Sequence, residues 1–229
     1  MISFIYFTMT LGDAAITEAM KKGNIIIHPF KAENLKTSSY DVSLGSYYFR
    51  EQRPDNYVHL YNIYNKEHVD RVWGTQYYTA EKASKVLKHF DFKGITPADK
   101  VILLEPGETI LAHTNEFIGG RGTITTMMKA RSSLGRNFIE VCKCAGWGDV
   151  GYVNRWTMEI TNNSRHYTIP LVVGRRVAQI IFFDVQKISA HDYASDGKYQ
   201  SITDIKKLKT SWNPHMMLPR LYLDREVAL

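Results

Sequence analysis

Two arginines and two serines stand within the run Ala130-Arg-Ser-Ser-Leu-Gly-Arg136. Each guanidinium offers a rigid fork of N–H donors and each hydroxyl adds another, so the run suits a polyanion such as a triphosphate. Read alone, it also fits a capped turn with solvated arginines. Downstream lie Ala145-Gly-Trp-Gly-Asp149-Val-Gly-Tyr152 and then Trp156-Thr-Met-Glu159-Ile160. Asp149 is an isolated carboxylate among glycines. Glu159 alternates with Met158 and Ile160 in a strand pattern, and burying a carboxylate there is costly unless it is hydrogen-bonded or protonated. A carboxyl whose proton affinity is raised by burial suits a group that is first a base and then an acid near neutral pH. The plain alternative is a solvent-facing glutamate on an edge strand.

The gross composition bounds what such a site can belong to. The chain has 229 residues, 44% of them apolar, enough to bury a core without disulfide or metal staples. At this length an all-β architecture is commonly one domain. No apolar run reaches the roughly 18 residues needed to cross a membrane. The opening Met1-Ile-Ser-Phe-Ile-Tyr-Phe lacks a basic leader and a cleavage pattern, and reads as an extension over residues 1–8 with Met9 as an alternative start. The net charge of +6 favours anionic ligands, but the basic residues are scattered and form no nucleic-acid patch. Cys142 and Cys144 stand at i and i+2 of a strand pattern, so they face one side and read as small buried residues in a reducing cytoplasm. The eight histidines show no ligand spacing beside them, and no His-x-Glu precedes a Pro-Cys-x-x-Cys. The chain therefore lacks the signature of zinc-dependent base deaminases, and no metal ligands are assigned.

The elements that must hold these residues are mostly short strands. A helix is expected over Ala14–Lys22, capped by Asp13 and stopped by Gly23. Strands are expected at Asn24–His28 and Ser39–Gly45. Further short runs are Val101–Leu104, Thr109–Ala112, Thr123–Met127, Phe138–Cys142, Arg155–Thr161, Thr168–Val173 and Val177–Val185. Their tight connections point to a mainly β sandwich or distorted barrel. Arg53–Asp99 reads as an insertion with a helix at Thr79–His89. The segment from Tyr193 to the end reads as a lid and tail that folds over a neighbour.

Taken together and in order, these motifs resemble the dCTP deaminase/dUTPase family, and within it the dCTP deaminase branch. The resemblance covers roughly residues 9–52 and 100–205. It rests on Leu11-Gly-Asp, Gly23-x-Ile-x-Ile-x-Pro29-Phe30, Ser39-Tyr-Asp41-x-x-Leu-Gly45 and Leu104-Glu-Pro-Gly-Glu108. It continues through Arg131–Arg136, Ala145–Tyr152, Glu159, Gly174-x-Arg-Val-Ala-Gln179 and Lys198-Tyr-Gln200. The family implies a homotrimer of distorted, jelly-roll-like β-barrels, with each active site built between subunits. Arg131, Ser132, Ser133 and Arg136 would cradle the triphosphate with Gln179. Asp149 would hold the deoxyribose 3′-hydroxyl, and Tyr152 would pack on the sugar and hinder a 2′-hydroxyl.

The resemblance makes Glu159 the group that takes a proton from water attacking carbon 4 of cytosine and returns it towards departing ammonia, where pure dUTPases usually carry an apolar residue. In dUTPases the residue matching Asp149 orients water against the α-phosphate, with Mg2+ bound through the triphosphate and no zinc. Some deaminases of this branch do both reactions and make dUMP from dCTP, and their sequences often read like Ala145-Gly-Trp147. The lid would bring Tyr193, Lys198 and Gln200 over the nucleotide. Several positions depart from the family: Gly148 replaces an aliphatic residue, Val150 a Pro, Ala or Ser, Asn154 a frequent Gly, and Ser201-Ile202 the usual Gly-Gln of the lid. The expectation is a cytoplasmic dCTP deaminase, with no membrane or nucleic-acid partner and with dTTP as a candidate inhibitor. A dUTPase alone, or a non-catalytic nucleotide-binding trimer, are the rival readings.

Overall fold

Between Val153 and Asn162 the side chains alternate as a pleated strand requires. Trp156, Met158 and Ile160 are at most 4% exposed, while Arg155, Thr157 and Glu159 on the opposite face are only half-buried. In the computed structural model, which describes residues 9–54, 59–87, 93–189, 193, 197–200, 202 and 204–227, this strand lies in one of three antiparallel sheets. Its sheet runs in the order Ile139–Val141, Val153–Asn162, Thr109–Gly120, Tyr47–Arg50, Tyr78–Thr79, with Ile25–His28 also on Thr109–Gly120. The second sheet orders Trp147–Gly148, Ile124–Ala130, Arg176–Asp184, Ser39–Ser43 and Leu35–Lys36, with Met9–Thr10 on Arg176–Asp184. A small third sheet pairs Ile169–Val172 with Lys100–Leu104 and Glu81–Lys82. One apolar cluster joins the first two sheets, with Tyr40, Val42, Leu44, Ile110, Ile118, Met158, Ile180 and Phe182 all fully buried.

The expected strands form, with shifted ends. The largest difference is Thr109–Gly120, which runs 12 residues where four were expected, because His113, Thr114 and Glu116 interrupt the apolar pattern yet are buried. Glu116 accepts from the Ser43 amide at 2.9 Å and its hydroxyl at 2.8 Å, which is what permits a carboxyl inside the sheet. The first helix spans Asp13–Lys21 and ends before Gly23, whose φ of 78° suits a residue without Cβ. Asp13 is not its cap: Gly12 takes that position, and Asp13 sits in the first turn, where its charge favours the helix N-terminus.

The insertion differs more. The expected helix at Thr79–His89 is helical only over Ala83–Val86; Thr79 and Glu81–Lys82 are in strands, and His89 lies outside the described residues. A helix not foreseen, Lys66–Trp73, is capped by the Asn65 side chain, which accepts from Glu67 and His68 amides. The cysteines also differ from expectation. The strand ends at Val141, and Cys142 and Lys143 have positive φ, so Cys142 is buried and Cys144 exposed, both as free thiols. No described helix is long and apolar enough to cross a membrane.

The C-terminal segment packs on its own chain. A helix over Ile205–Ser211 is capped by Asp204. Beyond it Met217 is buried against Phe49 and Leu111, with Trp73 of the insertion and Leu218 beside them. The expectation of a tail folded over a neighbour concerns a second copy of the chain; within this one Met217 is buried, while Leu223 is 57% exposed.

Candidate active site

The half-buried face of Val153–Asn162 forms the floor of a cleft of about 350 Å³. Its wall is the turn that precedes the strand. Here the Tyr152 amide donates to the Asp149 carbonyl at 3.0 Å, and Gly151 takes a φ of 95°, a conformation open to glycine. This turn lies tight against the neighbouring strand: a Cβ at Gly119 would strike the Tyr152 carbonyl, so glycine there permits the approach. A side chain at Gly148 would likewise meet the Trp156 ring and Thr126. The large indole at position 156 explains why an aliphatic residue is absent at 148.

Six of the residues singled out in the sequence line this one cleft: Ala145, Trp147, Asp149, Tyr152, Glu159 and Tyr193. Burial raises the Glu159 carboxyl above the usual carboxylate range, opposed by its own backbone N–H and by the Lys143 ammonium. The acid is thus held closer to the pH at which it can both accept and return a proton. Asp149 is exposed at the cleft edge, and one of its oxygens accepts from the Trp147 indole N–H at 3.2 Å. Trp147 is 56% exposed and stacks on Phe183. Tyr152 packs edge-on against both Trp156 and Tyr193, each at 5.2 Å between ring centres. Burial, followed by the neighbouring Tyr193 and Tyr199, pushes its phenol up, so it packs as a neutral ring.

The polyanion-type run lies elsewhere. Ser132–Gly135 forms a single helical turn after Arg131, with Ser132, Ser133 and Arg136 exposed. Arg131 lines a separate cavity of about 520 Å³, shared with Lys31, Arg175 and Arg176. Beneath it the buried Asp41 carboxylate meets Arg176 at 2.9 Å and Arg131 at 3.7 Å, fixing two guanidiniums on one counter-charge. Gln179 is half-buried on Arg176–Asp184, in register with Asp41 and Lys129. No residue is shared between the two cavities.

The lid residues divide. Tyr193 reaches the cleft and its amide donates to Val150 at 2.9 Å. Lys198 pairs with Asp224, and Gln200 is 5% exposed with its amide committed to the backbone. It accepts from Val153 N–H at 2.7 Å and donates to the Gly151 carbonyl at 3.1 Å, so it braces the turn behind the cleft. Both line a third, smaller cavity with Asn154 and Arg220. Among the lining residues that the sequence reading missed are Arg155, Thr157, Tyr199, Trp212 and Met216. The alternation that singles out Glu159 also points to Thr157 and Arg155; nothing local in the sequence ties Trp212 to them. Among the described residues no group of three or more His, Cys, Asp or Glu side chains is placed to hold a metal.

A profile described as dCTP deaminase-like matches residues 10–185. The protein named dCTP deaminase, dUMP-forming, of Bifidobacterium longum (strain DJO10A) is 29% identical over 191 residues, covering 82% of this chain and 86% of its own. One of the same name from Hydrogenobaculum sp. (strain Y04AAS1) is 31% identical over 182 residues, covering 79% and 85%. Among solved structures, the 2′-deoxycytidine 5′-triphosphate deaminase from Agrobacterium tumefaciens is similar with a TM-score of 0.53 at 18% identity. The match covers 78% of this chain and 49% of that longer one, and it is a likeness of fold.

Proposed function

Since this chain belongs to the dCTP deaminase-like family, we propose that it deaminates dCTP, with Glu159 as the acid/base, and carries the product on to dUMP. The observation that carries the reading is the half-buried Glu159, its proton affinity raised by burial, in one cleft with Ala145, Trp147, Asp149 and Tyr152. Water adds through oxygen to carbon 4 of the cytosine ring as Glu159 accepts its proton. The C4–N3 double-bond pair moves onto N3, the same carboxyl donates the proton to the amino nitrogen, and ammonia leaves as the remaining hydroxyl proton passes to N3 and the carbon–oxygen bond becomes the carbonyl of uracil. A group poised between both protonation states serves both halves. Zinc has no part in this step.

The dUMP-forming names of the relatives and the Ala145-Gly-Trp147 run support a second step. In it Asp149 orients a water towards the α-phosphate, a P–O bond breaks, and pyrophosphate leaves. Among the described residues lining the Arg131 cavity four are cationic, Lys31, Arg131, Arg175 and Arg176, and one, Glu33, is a carboxylate. Magnesium therefore fits this reading as the triphosphate's own counter-ion, bound through phosphate oxygens.

Arg131, Ser132, Ser133 and Arg136 are proposed to grip the triphosphate, with Gln179. Because Arg131 and Glu159 line separate cavities of one chain, the reading requires a neighbouring copy to bring them together. A homotrimer with sites between subunits, each subunit a distorted barrel, meets that requirement. Incubation with each deoxynucleoside triphosphate and magnesium, followed by chromatography, tests the whole reading. dUMP with ammonia from dCTP is expected, persisting in the presence of a strong zinc chelator. Turnover of dUTP alone would make the protein a dUTPase, and binding without turnover a nucleotide sensor.

A further inference from the structure

Arg155 stands on the same face of Val153–Asn162 as Glu159 and lines the same cleft. Its guanidinium carbon lies 4.9 Å from the centre of the Phe117 ring and 4.6 Å from that of Trp212. Two aromatic faces so close leave only the in-plane edge of the fork for hydrogen bonding. Among the described residues the side chain makes no hydrogen bond or ion pair, and its Nε is buried without a partner. Burial depresses its proton affinity, with Tyr47 and Glu116 opposing at longer range. A half-buried cation with unspent donors is costly unless something takes them.

The cation is also held from far away. Trp212 packs against His113 at 4.7 Å, and the His215 ring nitrogen lies 2.9 Å from the Thr75 carbonyl of the insertion. His215 further contacts Phe49 and Tyr77 edge-on. The insertion thus anchors the C-terminal segment, that segment places Trp212, and Trp212 flattens Arg155. Glu159 and Arg155 are four residues apart, roughly 13 Å along an extended strand, so their side chains leave the cleft floor at well-separated points.

We propose that Arg155 is a specificity-determining residue: it donates to an acceptor oxygen of the bound nucleotide at a point of the cleft well separated from Glu159, with Trp212 as its positioning residue. The proposal rests on the functional reading above. The acceptor is either the ring carbonyl or a phosphate oxygen, since both present the same lone pairs to a guanidinium. The test measures KM and kcat for dCTP, together with dissociation constants of dCTP, dUMP and deoxyuridine, for the full chain and for Arg155→Met. Losing a charge-assisted hydrogen bond raises KM about 10–100-fold with kcat little changed. Equal weakening of all three ligands assigns the ring oxygen; weakening that spares deoxyuridine assigns phosphate. Arg155→Lys recovers part of the affinity. Trp212→Ala reproduces the KM rise and Trp212→Phe reproduces less of it, whereas a cation that merely rivets the tail would move the melting temperature and not KM. A folded Arg155→Met protein with every constant within about twofold of the parent overturns the proposal. If the parent binds nucleotide without turning it over, the functional reading falls, and the dissociation constants still decide Arg155.

Discussion

The Glu159 cleft and the Arg131 corner are built on different physical plans. The first is walled largely by aromatic and apolar side chains, and of its two acids Glu159 is pushed towards the protonated form by burial. The second is mainly basic, and two of its guanidiniums, Arg131 and Arg176, are steadied by the buried Asp41. A desolvated carboxyl suits proton transfer, while clustered cations suit charge neutralisation of phosphates. Placing both on one chain but on separate surfaces makes self-association a condition of catalysis under the proposed reading. It also divides the effects of substitution: changes in the cleft should strike chemistry, and changes at the corner should strike binding.

The largest effect is expected at Glu159. Glu159→Gln should lower dCTP deamination about 10²–10⁴-fold, with the fold and oligomer retained by circular dichroism and size-exclusion chromatography. Deamination at the parent rate would remove this residue from its role. Asp149→Asn is expected to suppress pyrophosphate release by about 10²-fold or more, so that dUTP accumulates in place of dUMP. Unchanged dUMP yield by chromatography would assign the second step elsewhere.

Smaller effects should appear in stability. A carboxyl whose folded-state pKa is raised destabilises the fold once pH exceeds its ordinary value, because the unfolded chain releases the proton more readily. Glu159→Gln should therefore melt higher than the parent near pH 8, and the gain should vanish below about pH 4. His113 works with the opposite sign. Its ring donates from Nδ1 to the Thr114 carbonyl and accepts the Tyr47 N–H at Nε2, and burial lowers its pKa to about 4. The unfolded chain protonates first as pH falls, so stability should decline between about pH 6.5 and 4, by up to about 3 kcal/mol. Urea titrations should show a shallower decline in His113→Gln. An identical slope in both proteins would place the acid sensitivity on other groups.

How far the molecule could be read from its residues depended on the range of the interactions. The strand around Glu159 was legible because period-two alternation is local, and the helix ending before Gly23 because its stop chemistry is local. Burial of His113 and Glu116 was not, since their partners Tyr47 and Ser43 lie about 70 residues away in sequence and polar side chains break the apolar pattern. The same holds for the cleft wall. Trp212 meets Arg155 only because the insertion and the C-terminal segment pack together, and no local signal announces that. Gln200 illustrates a subtler limit: its motif points to a ligand contact, and nothing local shows that its amide also braces Gly151 and Val153. The expected disposition of Cys142 and Cys144 failed for a backbone reason, the positive φ at Cys142 and Lys143 that ends the strand.

The separation of the two surfaces allows a direct trial by subunit mixing. Two inactive chains, Glu159→Gln and a double Arg131→Ala, Arg136→Ala variant, would be unfolded together, refolded at equal ratio and assayed for ammonia release from dCTP. If each site draws its acid from one copy and its phosphate grip from the next, about a quarter of the sites in randomly mixed trimers regain both, and activity should return to roughly that fraction of the parent. Mixed oligomers that form but stay as inactive as either variant alone would contradict the shared-site account.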